Sequence, residues 1–226
     1  MKHESIEINS ALLIILTLVV ISIGGLVEIV PLFHIKGTVE EVEGVHPYTP
    51  LEQLGRDVYV REGCYLCHSQ QIRPFRDEQL RYGHKRTGPD LARVGGKYSN
   101  EWMTQHLIHP QSLVPESIMP SYPWLMQPLK YQDIEARMKA LRDVGVPYSL
   151  TKAEYEANVK KFGKDLADQF VIANGIKSVK AEAAAENWDG NPKEITEMDA
   201  LVAYLQVLGT MVDFSKYNQG YFSTFR

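Results

Sequence analysis

The chain has 226 residues, 44% of them hydrophobic, and a formal net charge of −4. A negative balance with no basic block excludes nucleic acid as a partner, and the length suits one globular domain of ordinary size. Cys64 and Cys67 are the only cysteines, so no disulfide framework is available to a small domain.

The first element is an apolar run over residues 8–27 that contains no charged side chain. At 1.5 Å per residue it spans roughly 30 Å, the thickness of the bilayer hydrocarbon. A cleaved signal peptide has a shorter apolar core, about 7–15 residues, and ends at a small-x-small site. Here apolar residues continue through Ile29, Val30, Pro31, Leu32 and Phe33, and no such site follows. Residues 1–33 therefore read as an uncleaved, single-pass anchor in the lipid bilayer. Lys2 is opposed by Glu4 and Glu7, with Lys36 on the other side, so charge bias leaves the orientation open. Glu28 reads as an interfacial group reaching water, with a proton path or partner contact as the alternative. Residues 34–50 carry Gly44, Pro47 and Pro50 among Glu40, Glu41 and Glu43, the composition of a linker.

A helix is expected over residues 51–62. It leads into Cys64-Tyr65-Leu66-Cys67-His68, a C-x-x-C-H pentapeptide. Two thiols on one helical turn can each add across a haem vinyl group, while the adjacent imidazole reaches the iron as the proximal ligand. A redox disulfide of the thioredoxin type would sit in a βαβ pattern, which is absent, and a zinc site would want two more thiols or histidines at close spacing. The motif predicts one covalently bound haem c with His68 on the metal. Thioether attachment takes place on the exported side of the bacterial membrane, which orients the anchor: N-terminus in the cytoplasm, haem domain in the periplasm, anchored in the inner membrane. Arg73, Arg76 and Arg81 follow the motif. Guanidinium groups suit haem propionates, and surface arginines without that role are the alternative. Arg73, restrained by Pro74, is the candidate cofactor contact.

The sixth ligand has several candidates. Met103 falls in an expected helix, Asn100–Ile108, and Met138 in another over residues 131–144, where both serve packing. Met119 stands in a loop between Pro115 and Pro123 and precedes Pro120, which favours an extended, inflexible backbone able to present sulfur. Met119 is the expected metal ligand, Met126 the second candidate, and His106 or His109 the third. Polar helical stretches follow near residues 131–144 and 152–173, and Ala181-Glu182-Ala183-Ala184-Ala185-Glu186 has high helix propensity. A last helix is expected over residues 196–208, with Thr196 as cap, Asp199 three residues on, and Leu201, Tyr204, Leu205 and Leu208 on one face.

Gly55, Tyr59 and Gly63 precede the haem motif as G-x-x-x-Y-x-x-x-G-C-x-x-C-H, and Thr87-Gly88-Pro89-Asp90-Leu91 follows it. Both segments resemble class I cytochromes c, whose first and last helices cross beside the haem. The resemblance implies that Pro89 offers its carbonyl to His68 Nδ1–H, fixing the tautomer that turns Nε2 to iron. More specifically, Ser22-Ile23-Gly24-Gly25-Leu26, His68-Ser69-Gln70-Gln71-Ile72-Arg73-Pro74-Phe75-Arg76, Arg86-Thr87-Gly88-Pro89-Asp90-Leu91-Ala92-Arg93-Val94-Gly95-Gly96, Pro115-Glu116-Ser117-Ile118-Met119-Pro120-Ser121-Tyr122-Pro123-Trp124-Leu125 and Met198-Asp199-Ala200-Leu201-Val202-Ala203-Tyr204-Leu205-Gln206 are similar to the monohaem (FixO/CcoO-like) subunit of cbb3-type cytochrome c oxidase.

That resemblance implies a membrane-anchored electron relay to a haem–copper subunit that reduces oxygen to water, assembled with a di-haem cytochrome c subunit. Catalysis would belong to the haem–copper subunit. The small cytochrome subunit of a nitric oxide reductase is the rival, and the Gln70 to Phe75 run argues for the oxidase. Two departures stand out: Arg81-Tyr82-Gly83-His84 abuts Lys85-Arg86-Thr87-Gly88 without the family's intervening aromatic stretch, and residues 127–195 form a longer insertion that reads as peripheral and solvated. The expected fold is mainly α: one N-terminal transmembrane helix, then a class I cytochrome c domain over residues 51–212 with a helical insertion, and a tail over 213–226.

Overall fold

The computed structural model describes residues 3–34, 45–71 and 86–212, and the chain divides into two units, Met1–Glu43 and Gly44–Arg226. In the first unit a short helix α1 (His3–Glu7) is followed by α2 (Ser10–His34). Asn9 Oδ1 accepts the Leu12 N–H at 3.2 Å, satisfying one of the donors that a helix start leaves open. Within α2 the stretch Ser10–Pro31 is long and apolar enough to cross a membrane, and none of it is buried against the protein. A helix that is apolar on every side needs lipid or a partner to cover it. The stretch fits a transmembrane anchor.

In the second unit's described residues the regular structure is helical, apart from three isolated β-bridges, with turns and loops between the helices. Its first helix, α3 (Pro50–Arg61), begins where expected for a local reason. Thr49 Oγ1 accepts the Glu52 N–H while Glu52 Oε2 accepts the Thr49 N–H at 2.8 Å, and Pro50 sits at the first helical position, where its missing N–H costs nothing. Helix α4 (Cys64–Cys67) follows, then α5 (Asn100–Ile108), α6 (Ile134–Asp143), α7 (Lys152–Phe162), α8 (Lys164–Gln169), α9 (Gly175–Glu186) and α10 (Glu197–Val207). The last of these repeats the device of the first, with Thr196 as cap and Asp199 returning its carboxylate to the Thr196 N–H at 3.0 Å.

Helices α3 and α10 cross in close contact, which the expected smallness of Gly55 explains. A Cβ there would collide with the Ala200 carbonyl and stand 2.7 Å from Tyr204 Cβ. Around the crossing Leu51, Leu54, Val58 and Tyr59 are buried with Leu201, Tyr204 and Leu205, and the Tyr204 ring lies 5.4 Å from Tyr59 and 5.6 Å from Tyr48. Residues 45–50, read from composition as the end of the linker, belong to this packing. Val45 bridges Val212, and Thr49 and Pro50 are buried.

The insertion is not the solvated appendage that its polarity suggested. Ile134, Met138, Tyr148, Phe170 and Val179 are fully or almost fully buried and join the core built on α3 and α10. Tyr148 donates its hydroxyl to the Tyr48 carbonyl at 2.8 Å, and Thr49 Oγ1 donates to Glu182 Oε1 at 2.7 Å. Charged residues occupy the outer faces of α6 to α9, so a thin apolar stripe is diluted in the sequence although it is continuous in space. The single helical stretch expected over residues 152–173 breaks at Gly163, whose φ of 88° no right-handed helix contains.

Candidate functional site

Helix α4 is a single turn. Its i, i+3 spacing sets Cys64 and Cys67 on one side of the chain, Cys64 half-buried and Cys67 exposed, both as free thiols. Burial pushes the Cys64 thiol up to about 11, with the Glu62 carboxylate adding to it. A redox-active cysteine has the opposite shift, toward thiolate at neutral pH. Among the described residues no group of three or more His, Cys, Asp and Glu is placed to hold a metal ion.

His68 leaves α4 with extended backbone, and the segment after residue 85 closes over it. The Gly88 N–H donates to the Cys67 carbonyl and the Leu91 N–H to the Ser69 carbonyl, each at 2.8 Å. Between these two bonds His68 Nδ1 lies 2.8 Å from the Pro89 carbonyl. A carbonyl only accepts, so this contact requires the proton on Nδ1 and leaves Nε2 unprotonated in the neutral ring. Gly88 is needed for the approach: a Cβ would stand 2.6 Å from His68 Nδ1 and closer still to Cε1. Asp90 finishes the junction, accepting from Ser69 Oγ at 2.8 Å and from the Gln71 N–H at 2.9 Å.

A second wall comes from α5 and the loop beyond it. Tyr98, Trp102 and His106 stack in register, with centroids 4.0 Å and then 4.6 Å apart. Burial, and secondarily the neighbouring His68, hold the His106 imidazole below its ordinary pKa. After α5 a 3₁₀ turn, Pro110–Ser112, leads to the loop that carries Met119. The two walls enclose a mostly apolar cavity of about 510 Å³ that is lined by Cys64, Cys67, His68, Pro89, His106 and Met119, with Leu201 and Leu205 of α10 at its back. Met126 and His109 do not line it. Met103, expected to pack, is 3% exposed and does line it, while Met138 is completely buried in the insertion.

The structure thus gathers Cys64, Cys67, His68, Pro89 and Met119 around one cavity. Arg73, Arg76 and Arg81 lie outside the described residues, and Glu28 is exposed on α2. Residues that the sequence did not single out also belong to the site. Gln206 accepts the Gly96 N–H at 2.9 Å and donates to the Tyr98 carbonyl at 2.9 Å, tying the proximal segment to α10 and α5, and Gln111 braces the Met119 loop. Neither had a local signal, since one polar residue near a helix end looks like any other.

The cavity suits a haem. Its volume is that of a cofactor pocket, its lining is mainly apolar, and two thiols one turn apart, an imidazole with its Nδ1 fixed and a thioether all line it. In comparison with known proteins, the family model described as cytochrome c oxidase, mono-heme subunit/FixO, matches residues 3–212. A search of curated proteins gave no match.

Proposed function

The chain belongs to this family of mono-haem cytochrome c oxidase subunits, and from that membership we propose that it is the electron-relay subunit of a cbb3-type oxidase. Cys64 and Cys67 would form the two thioethers of a haem c, His68 and Met119 would be its axial ligands, and Pro89 would orient His68. Arg73 is the proposed propionate partner on sequence grounds alone. The observation that carries the reading is the single cavity where both thiols, the imidazole and the thioether converge. When bound between imidazole and thioether, haem supplies reversible one-electron chemistry at a raised potential. The chain's own residues exclude water from the cavity through Leu201, Leu205 and Trp102, and the Pro89 carbonyl holds the His68 ring by its Nδ1 proton.

With His68 and Met119 both holding the haem, the chain would leave no place for oxygen, so oxygen reduction would fall to a haem–copper subunit, with a di-haem cytochrome c as the other partner. The apolar stretch Ser10–Pro31 would cross the bacterial inner membrane once, with the N-terminus in the cytoplasm and the haem domain in the periplasm. Purification of the chain from native membranes tests this proposal. Haem staining of the chain on a denaturing gel, together with co-purification of a haem–copper subunit and a di-haem subunit, is expected. Co-purification with a nitric oxide reductase, or with no partner, would overturn it.

A further inference from the structure

The Met119 loop is held in an unusual way. Its entrance is tied by the Val114 N–H to the Pro110 carbonyl and its exit by the Tyr122 N–H to the Leu107 carbonyl, each at 2.9 Å. Between those ties Ile118, next to Met119, is 78% exposed, so burial does not fasten the loop at its tip. Within the loop the Ser117 N–H donates to the Val114 carbonyl at 2.9 Å and the Met119 N–H to Ser117 Oγ at 3.3 Å, and from outside it Gln111 reaches the tip. Its Nε2 donates to the Ser117 carbonyl and to the Met119 carbonyl, both at 2.9 Å. A side-chain amide has two N–H donors, and here both are spent on the two carbonyls that bracket Ile118. Gln111 is itself anchored: it lies in the 3₁₀ turn next to the buried Pro110, which continues α5 with its buried Met103 and Leu107.

We propose that Gln111 is a positioning residue that fixes the Met119 backbone so that the thioether, rather than a competing group, stays on the haem iron. The inference rests on the reading of Met119 as the axial ligand. A site works only when its ligands are held to within about 0.5 Å by their supporting contacts, and a loop without helix or strand pairing has to obtain that support from side chains. A competitor is at hand, because the His106 imidazole lines the same cavity. Releasing the two carbonyls therefore frees Met119 to move away and lets another ligand or water take its position.

The test uses the full chain, matured with its haem and solubilised in detergent. The ferric protein is followed by the long-wavelength charge-transfer band of thioether-ligated haem, and its potential is measured. Gln111→Glu keeps the shape but replaces both donors with an acceptor facing two carbonyls. Gln111→Lys restores N–H donors at similar reach. Gln111→Glu is expected to lose at least half of the band at temperatures where the wild type keeps it, well below the unfolding midpoint, and to lower the potential, with Gln111→Lys recovering part of both. The proposal is overturned if the wild type shows the band and Gln111→Glu keeps it to the same temperature. It is equally overturned if band loss and unfolding shift together, since Gln111 is then only a stabilising residue. Absence of the band from the wild type defeats the Met119 reading instead.

Discussion

The two walls of the cavity are fastened by different chemistry. The wall bearing Cys64, Cys67 and His68 is closed by backbone hydrogen bonds, from Gly88 to Cys67 and from Leu91 to Ser69, while the wall bearing Met119 is tied by backbone bonds at its two ends and depends at its tip on a glutamine amide. Backbone bonds survive most substitutions, because every residue except proline supplies the same donor and acceptor. A side-chain brace disappears with a single change. The first wall is thus a fixed platform, and the second is where sequence variation can tune the cofactor without endangering its attachment.

The largest break in this contrast comes from the thiols. Replacing both Cys64 and Cys67 with Ala should abolish covalent haem on a denaturing gel, whereas either single change leaves one thioether; an undiminished haem stain from the double variant would refute the attachment. Gly88→Ala tests whether the platform tolerates a side chain at its narrowest point. The new methyl can be admitted only if the His68 ring turns away from the Pro89 carbonyl, and overpacking of this kind costs about 1–3 kcal/mol. Haem should stay attached while its spectrum becomes heterogeneous; a wild-type spectrum and unfolding midpoint would show that the platform yields more easily than the contact implies. Met119→Leu probes the other wall, and there the haem should remain bound, the charge-transfer band should vanish, and the potential should fall. If the band persists, the ligand is elsewhere.

The smallest effect is expected from a site that belongs to neither wall. Glu182 on α9 accepts from Thr49 Oγ1 and feels the charges of Glu52 and Glu186, and His46 in turn acts on Glu52. Burial first, and then Glu52, push Glu182 from an ordinary value near 4.5 up to about 8. An acid that holds its proton more tightly when folded loses stability as pH rises through the window between those two values, and the loss is complete above about 8. Asp199, pushed up by burial to about 6, contributes mainly below that value. Urea midpoints measured between pH 6 and 9 should fall in the wild type and much less in Glu182→Gln, with the haem spectrum unchanged in both. An equal fall in the two proteins would assign the slope to another group.

What the sequence disclosed and what it hid divides along the same physical line. Cys64, Cys67 and His68 fall within five consecutive residues, and Thr196 with Asp199 is a capping pattern four residues long, so each could be read locally. Met119 stood out because prolines on either side stiffen its loop. The burial of the insertion was illegible because Ile134, Met138 and Val179 are scattered among lysines and glutamates, and only the folded chain sets them side by side. Glu182 is the sharpest case: in the sequence it is an acid in an alanine-rich helix that looks solvated, and its surroundings are decided by Thr49, 133 residues away. Gln111 escaped for the same reason on a smaller scale, since its partners are carbonyls six and eight residues on that no side-chain pattern reveals.

The crossing of α3 with α10 also sets a timetable. Leu201 and Leu205, which close the back of the cavity, lie about 140 residues beyond the C-x-x-C-H motif. At synthesis rates of roughly 5–20 residues per second, the motif exists for about seven to thirty seconds before its cover has been made. A cofactor resting in an unfinished pocket by packing alone would diffuse away during that interval. The two covalent bonds proposed at Cys64 and Cys67, on a short, early turn, would separate capture from enclosure, so the order in which the chain is made need not match the order in which the cavity closes.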